Sequence, residues 1–152
     1  MDKRTELSAA LKKSLKNKEK IAVSTIRLIL AALKDRDITA REKGQSEGIC
    51  DAEILNMLQS MIKQRQDSSK TYSEAGRDDL AEREETEIDI IRSFMPKQLS
   101  EDEIAEVVEG LIEKTGAQCV KDMGKIMGVL KSEYAGQLDM GKAGTIVRGK
   151  LC

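Results

Sequence analysis

Apolar residues recur at intervals of three and four along most of this chain, the spacing of one face of an α-helix. Leu7, Leu11 and Leu15 open the pattern and Ile21, Thr25, Leu28, Ile29 and Ala32 continue it. Two N-terminal helices with those residues turned inward are predicted. A polar break, GQSEG at 44–48, leads to a third helix that Asp51 can cap, carrying Ile54, Leu55, Leu58, Met61 and Ile62 inward and running on to Gly76. A fourth opens at Asp78-Asp79, acids that complement a helix N-terminus. It sets Ile88, Ile91 and Met95 among Glu82, Glu84, Glu85 and Glu87, an acidic side expected to face solvent.

The chain's one proline, Pro96, stops that helix and precedes a capping box, Ser100 to Glu103. This is the best domain boundary: residues 1–96 read as a larger N-terminal helical domain, 97–152 as a small C-terminal three-helix domain. In the latter, Ile104, Val107, Val108, Leu111 and Ile112 give one amphipathic helix with Gly116 as its stop. Two shorter helices begin at Asp122 and Asp139. Such a small unit has little core to spare.

Those two helices share four letters, Asp-Met-Gly-Lys, at 122–125 and 139–142, and the first copy runs on as KDMGKIMGVLK. A glycine costs a helix interior roughly 1 kcal/mol relative to alanine, so Gly124 and Gly128 need a reason. At about 100 degrees per residue, Met123, Ile126, Met127, Leu130 and Tyr134 gather on one arc, the core face. Lys121, Gly124, Lys125, Gly128 and Ser132 fall on the other side with Lys131 at the edge. In the second copy Asp139 is the expected N-cap and Met140, Ala143, Val147 and Leu151 make the seam, while Gly141, Lys142, Thr145 and Arg148 turn away. The shared letters are read as two similarly capped helix starts. The first glycine face is either a smooth basic strip that a phosphate backbone could approach closely, or a surface on which a helix of the N-terminal domain packs.

Composition narrows the class further. The 152 residues are 39% hydrophobic with one Phe, two Tyr and no Trp, a palette that suits helices, so an all-α protein is expected. There is no histidine, and Cys50, Cys119 and Cys152 have no paired spacing. The usual zinc and Cys-His catalytic sites therefore cannot be built, and no role is assigned to the cysteines. The near balance of 26 Lys and Arg against 27 Asp and Glu hides a partition. Basic and acidic residues number 12 and 6 from Met1 to Lys43, 7 and 18 from Gly44 to Glu113, and 7 and 3 from Lys114 to Cys152. Basic ends on an acidic chain are either a footprint for nucleic acid or ordinary solvated faces. The start lacks a signal-peptide h-region and no apolar run is long enough to span a bilayer, so a cytoplasmic protein is expected.

Other groupings carry less. Ser68-Ser69-Lys70 has nothing to supply an oxyanion hole and reads as a mid-helix polar face. Glu84 with Glu87, and Asp78 with Asp79, read as solvated positions and caps rather than as a divalent-ion site. No P-loop or dinucleotide-binding glycine pattern occurs. No catalytic residue, metal ligand or cofactor is assigned.

The stretch RQDSSKTYSEAGRDDLAEREETEIDIIRSFMPKQLSEDEI from Arg65 to Ile104, with DMGKIMGVLK and the closing GQLDMGKAGTIVRGKL, resembles the YqeY family of small bacterial proteins. Tyr72, Gly76-Arg77, Asp79-Leu80, Pro96, Leu99 and Met123-Gly124-Lys125-x-Met127-Gly128 carry the likeness. The C-terminal part is similar to the tail domain of the B subunit of the tRNA-dependent amidotransferase, and a related module is fused to some glutaminyl-tRNA synthetases. The resemblance implies a two-part helical protein whose C-terminal domain is of the type that contacts tRNA. A carbon-nitrogen ligase label with glutamine as amido donor, attached to the family by similarity, is an inheritance from the longer enzyme. The family's Gly-Arg-Ala-Asp-Gly loop stands here as Gly136-Gln137-Leu138-Asp139-Met140, which loses the basic residue at position 137.

Two functional readings follow. In the first, a non-catalytic module binds tRNA, or associates with an amidotransferase or aminoacyl-tRNA synthetase, with Lys121, Lys125, Lys131, Lys142 and Arg148 on phosphates beside Gly124 and Gly128. In the second, a protein-interaction adaptor docks through the acidic middle or the N-terminal helices.

Overall fold

The computed structural model describes residues 2–151, which are helical with no strand among them. The chain divides into two compact units, Met1–Met95 and Pro96–Cys152. The first holds α1 (Lys3–Lys16), α2 (Lys20–Glu42), α3 (Asp51–Glu74) and α4 (Asp78–Arg92).

Its core is built from Leu7 of α1, Ile26, Ile29 and Leu33 of α2, Ile54, Met57, Leu58 and Ile62 of α3, and Ile88 and Ile91 of α4, with Phe94 beyond. Thr25 is buried with them. The expected inward stripe breaks down at Leu15, Ile21 and Leu28, which are exposed. α2 buries the stripe through Thr25, Ile26, Ile29 and Leu33. Ile21 and Leu28, seven residues apart, share a direction roughly 90 degrees round the helix from Ile29.

Polar contacts fix how these helices enter the core. Asp2 caps α1, its carboxylate accepting from the Thr5 amide at 2.8 Å. Arg4 Nη2 donates to Asp37 Oδ1 and to the Ile49 carbonyl, each at 2.7 Å, and the Ile49 amide donates to the same Asp37 oxygen at 3.0 Å. One arginine thus clasps α1, α2 and the loop before α3. Gly48 stands in that loop with φ +83, and a Cβ there would run into the Asp37 carboxylate. Glycine meets both demands of the site. The helix α3 begins one residue earlier than expected: Cys50 is the N-cap, extended at ψ 170, and Asp51 is the first helical residue. Asp51 complements the helix dipole instead of capping.

α3 and α4 form an antiparallel hairpin whose turn passes through Gly76 at φ +74. The acidic side of α4 is not uniformly solvated. Glu87 is buried and accepts from Arg65 Nε at 3.0 Å and Arg83 Nε at 3.5 Å. Arg65 Nη1 also reaches the Met61 carbonyl at 3.2 Å, so the α3 side of the pair is braced. Ser69, read as part of a mid-helix polar face, is buried too and donates to the Ala81 carbonyl at 3.4 Å. Both departures have one cause: two helices packed this closely leave polar groups on their facing sides short of water, and each must find a partner. Glu84 is half-buried, and desolvation, then the neighbouring Glu87 charge, hold its carboxyl above the ordinary range.

The C-terminal unit holds α5 (Glu101–Thr115), a short 3-10 turn (Val120–Asp122), α6 (Met123–Glu133) and α7 (Met140–Lys150). Ser100 and Glu103 form the capping box, with the Glu103 amide on Ser100 Oγ at 3.2 Å and the Ser100 amide on Glu103 Oε1 at 3.3 Å. Gly116 ends α5 in the left-handed region. Ile104, Val108 and Leu111 meet Ile126 and Leu130 of α6 and Ala143 and Val147 of α7, closed by Leu138 and Leu151.

Replacing Arg65 by alanine leaves the buried Glu87 carboxylate with only the longer contact from Arg83 and is expected to cost about 3 kcal/mol, read from urea unfolding of the full chain. Arg65→Met combined with Glu87→Leu should restore most of that loss. Undiminished stability in Arg65→Ala would mean that water already solvates Glu87.

Candidate nucleic-acid interface

The site begins with the way α6 spends its small apolar surface. Ile126 and Leu130 are fully buried, and Met123, Met127 and Tyr134 pack against them. With that stripe turned inward, a helix of 3.6 residues per turn sends the residues at 124, 125, 128 and 131 outward. Gly124, Lys125, Gly128 and Lys131 are all exposed. A Cβ added to Gly124 or Gly128 meets no atom within 4 Å.

Lys121 is also exposed but belongs to the 3-10 turn before α6. It extends the face without sharing the helix's phase. The glycine that faces the methionines of α6 is a different one, Gly144 of α7. A Cβ there would stand 3.5 Å from Met123 Cε and 3.9 Å from Met127 Cε. A methyl group there would be in ordinary contact with those methionines. On α7, Gly141, Lys142, Thr145 and Arg148 are exposed, as their spacing from Ala143 and Val147 requires.

The two Asp-Met-Gly-Lys copies differ in structure. Asp139 is a true N-cap, its Oδ1 accepting from the Gly141 amide at 2.7 Å and the Lys142 amide at 3.3 Å. Asp122 caps nothing on α6; its carboxylate turns back and accepts from the Gln118 amide at 3.1 Å. The reading of two similarly capped helices is therefore corrected. Asp122 sits in αR geometry after the 3-10 turn, where an aspartate cannot fold over onto the amides ahead of it. Its pKa is held below the ordinary carboxylate value by the Gln118 amide first, with Lys125 adding to the effect. Its contribution is present above the normal carboxylate range and is lost as pH falls through the lowered folded value.

Electrostatically the face is open. None of Lys121, Lys125, Lys131, Lys142 and Arg148 forms an ion pair among the described residues. The neighbouring Lys150 does, with Glu109 of α5. Along α5 the charges are of the other sign, with Glu101, Asp102, Glu103, Glu106, Glu109 and Glu113 exposed. The unit thus carries an acidic helix and two helices whose free charges are mostly basic. Phosphate could meet these lysines and the bare backbone at Gly124 and Gly128 together.

Sequence reasoning missed the loop between α6 and α7. Gly136 is buried and its carbonyl accepts from Gln98 Nε2, while the Leu99 amide donates to the Gln137 carbonyl at 2.6 Å. The backbone at 137 is tied to the segment after Pro96, a structural duty that side-chain letters alone do not reveal. No group of three or more metal-ligating side chains forms among the described residues.

A two-unit helical protein with an acidic middle and an open glycine-lysine face on its C-terminal unit is the class these features define. The family model for Yqey-like proteins matches residues 4–151, and the chain belongs to that family. Curated relatives carry the name altered inheritance of mitochondria protein 41, mitochondrial. The one from Lachancea thermotolerans is 33% identical over 62% of this chain and 49% of its own length. That from Pyrenophora tritici-repentis is 28% identical over 86% of this chain and 70% of its own. In Saccharomyces cerevisiae the figures are 33% over 59% and 46%. The chain thus spans about half the length of the first of these relatives. No helix among the described residues is long and apolar enough to cross a membrane.

Gly124→Ala and Gly128→Ala should each stabilise the protein by about 0.5–1 kcal/mol in urea unfolding, because the methyl group meets nothing and the unfolded chain loses freedom. Asp139→Ala should cost about 1 kcal/mol through the lost cap, whereas Asp122→Ala should leave α6 intact and accelerate amide exchange at Gln118. A loss of stability in either glycine variant would mean that something covers the face.

Proposed function

We propose that the C-terminal unit binds tRNA through its phosphate backbone and performs no chemistry itself. The observation that supports this most is the pairing of two sterically open glycines with cations that form no ion pair among the described residues. Lys121, Lys125, Lys131, Lys142 and Arg148 contact phosphates, and Gly124 and Gly128 let the ribose-phosphate chain lie close to α6. Glycine at these positions forgoes helix stability that alanine would supply.

In this reading the chain works in the cytoplasm beside a tRNA-dependent amidotransferase or an aminoacyl-tRNA synthetase, with no membrane, metal or cofactor. A carbon-nitrogen ligase label belongs to the longer amidotransferase subunit. The names of the fungal relatives make the mitochondrion the competing location.

Anisotropy of fluorescein-labelled tRNA titrated with the full chain at several salt concentrations provides the test. Lys121→Ala with Lys125→Ala should weaken binding and lower the salt slope by about one unit per lysine. Gly124→Ala with Gly128→Ala should also weaken binding while raising stability. Unchanged affinity and slope in the lysine variant would remove this face from RNA binding.

A further inference from the structure

The N-terminal unit leaves an apolar groove open where α1 turns into α2. Leu15 and Leu28 are each 47% exposed, in a protein whose other leucines are mostly buried. A cavity of about 650 Å³ opens among Leu15, Val23 and Leu28, with Lys18, Lys20 and Arg27 along its walls. That volume lies in the range of sites that enclose several apolar groups. The long cationic stems extend the apolar lining while their heads stay in water.

The turn itself holds one of those cations in place. Lys18 has φ 57, the one non-glycine residue with positive φ among the described residues. Its amide donates to the Leu15 carbonyl at 3.2 Å and the next amide, of Glu19, to Ser14 at 3.0 Å. Lysine in the left-handed region costs about 1 kcal/mol that glycine would not, and it gives the groove a charge at its mouth. Between Lys12 and Arg27 the cations are Lys12, Lys13, Lys16, Lys18, Lys20 and Arg27, against Glu19 as the sole carboxylate. None of these forms an ion pair among the described residues.

We propose that this groove docks an amphipathic helix of a protein partner, its apolar side chains seated on Leu15, Val23 and Leu28 and its flanking carboxylates on Lys18, Lys20 and Arg27. Helix-in-groove recognition uses a concave apolar floor, and a rim of one charge sign selects the charges that flank the bound helix. RNA would meet the lysines and leave the floor wet. A bilayer takes up protruding apolar side chains and does not fill a concavity. A second copy of this chain would have to supply an acidic amphipathic helix, and its acidic helices α4 and α5 commit Ile88 and Ile91, and Ile104, Val108 and Leu111, to their own cores.

The test uses the full chain and two synthetic helical peptides with the same leucines at i, i+3, i+4 and i+7, one flanked by glutamates and the other by lysines, followed by anisotropy. The glutamate peptide should bind at least about tenfold more tightly than the lysine peptide. Leu15→Ser with Leu28→Ser, both at exposed positions, should abolish binding without lowering thermal stability. Lys18→Glu with Arg27→Glu should reverse the preference, and Lys121→Ala with Lys125→Ala should leave it untouched, which separates this groove from the RNA face. Absence of saturable binding to the glutamate peptide, equal binding of both peptides, or survival of binding in the leucine variant would overturn the proposal. So would binding of tRNA or of phosphatidylcholine-phosphatidylserine vesicles that depends on Leu15 and Leu28 when the peptide does not bind.

Discussion

The C-terminal unit has three short helices and can bury only one stripe of each, and the character of its surface follows from that constraint. α6 spends Ile126, Leu130 and two methionines on the core, and α7 spends Ala143 and Val147. Gly144 of α7 faces the two methionine tips. With the contact so placed, helical geometry leaves Gly124, Lys125, Gly128 and Lys131 on the outside. The outward face is a consequence of core packing, and the residues that occupy it are what function has to explain.

The N-terminal unit meets a different problem, polar groups drawn between helices, and solves it with arginines. Arg4 joins Asp37 to the loop carbonyl of Ile49, and Arg65 joins Glu87 to the carbonyl of Met61. Guanidinium suits both places because its several donors can satisfy a carboxylate and a carbonyl together. Removing one partner of such a group leaves the other short of hydrogen bonds, so these contacts specify the packing more than they add to its net stability.

Helical periodicity carried the all-α fold, the capping box at Ser100, the stop at Gly116 and the outward face of α6, since each depends on a local rule. It failed where a neighbouring helix decides the outcome. Leu15 and Leu28 have the spacing of core residues, yet the core of this unit lies toward Thr25 and Ile29. Glu87 has the look of a solvated acid, and Arg65, 22 residues away, together with Arg83 makes its burial tolerable. The two Asp-Met-Gly-Lys copies share letters, but the 3-10 turn before α6 changes what an aspartate can reach. Backbone geometry of that kind is not written in four residues.

The glycines bear on function because of the size of what they forgo. A unit running from Pro96 to Cys152 has a stability on the order of 3–8 kcal/mol by the usual per-residue range. Alanine at 124 and 128 would meet no steric objection and would add about 1–2 kcal/mol in total. Packing therefore gives no reason for glycine there, in contrast to Gly48, where a neighbour stands close. Charge alone gives no reason either, because Lys125 and Lys131 would be as exposed on an alanine helix. What glycine adds is access to the helix backbone between the lysines, and a polyanion that runs along α6 is the kind of ligand for which that access matters.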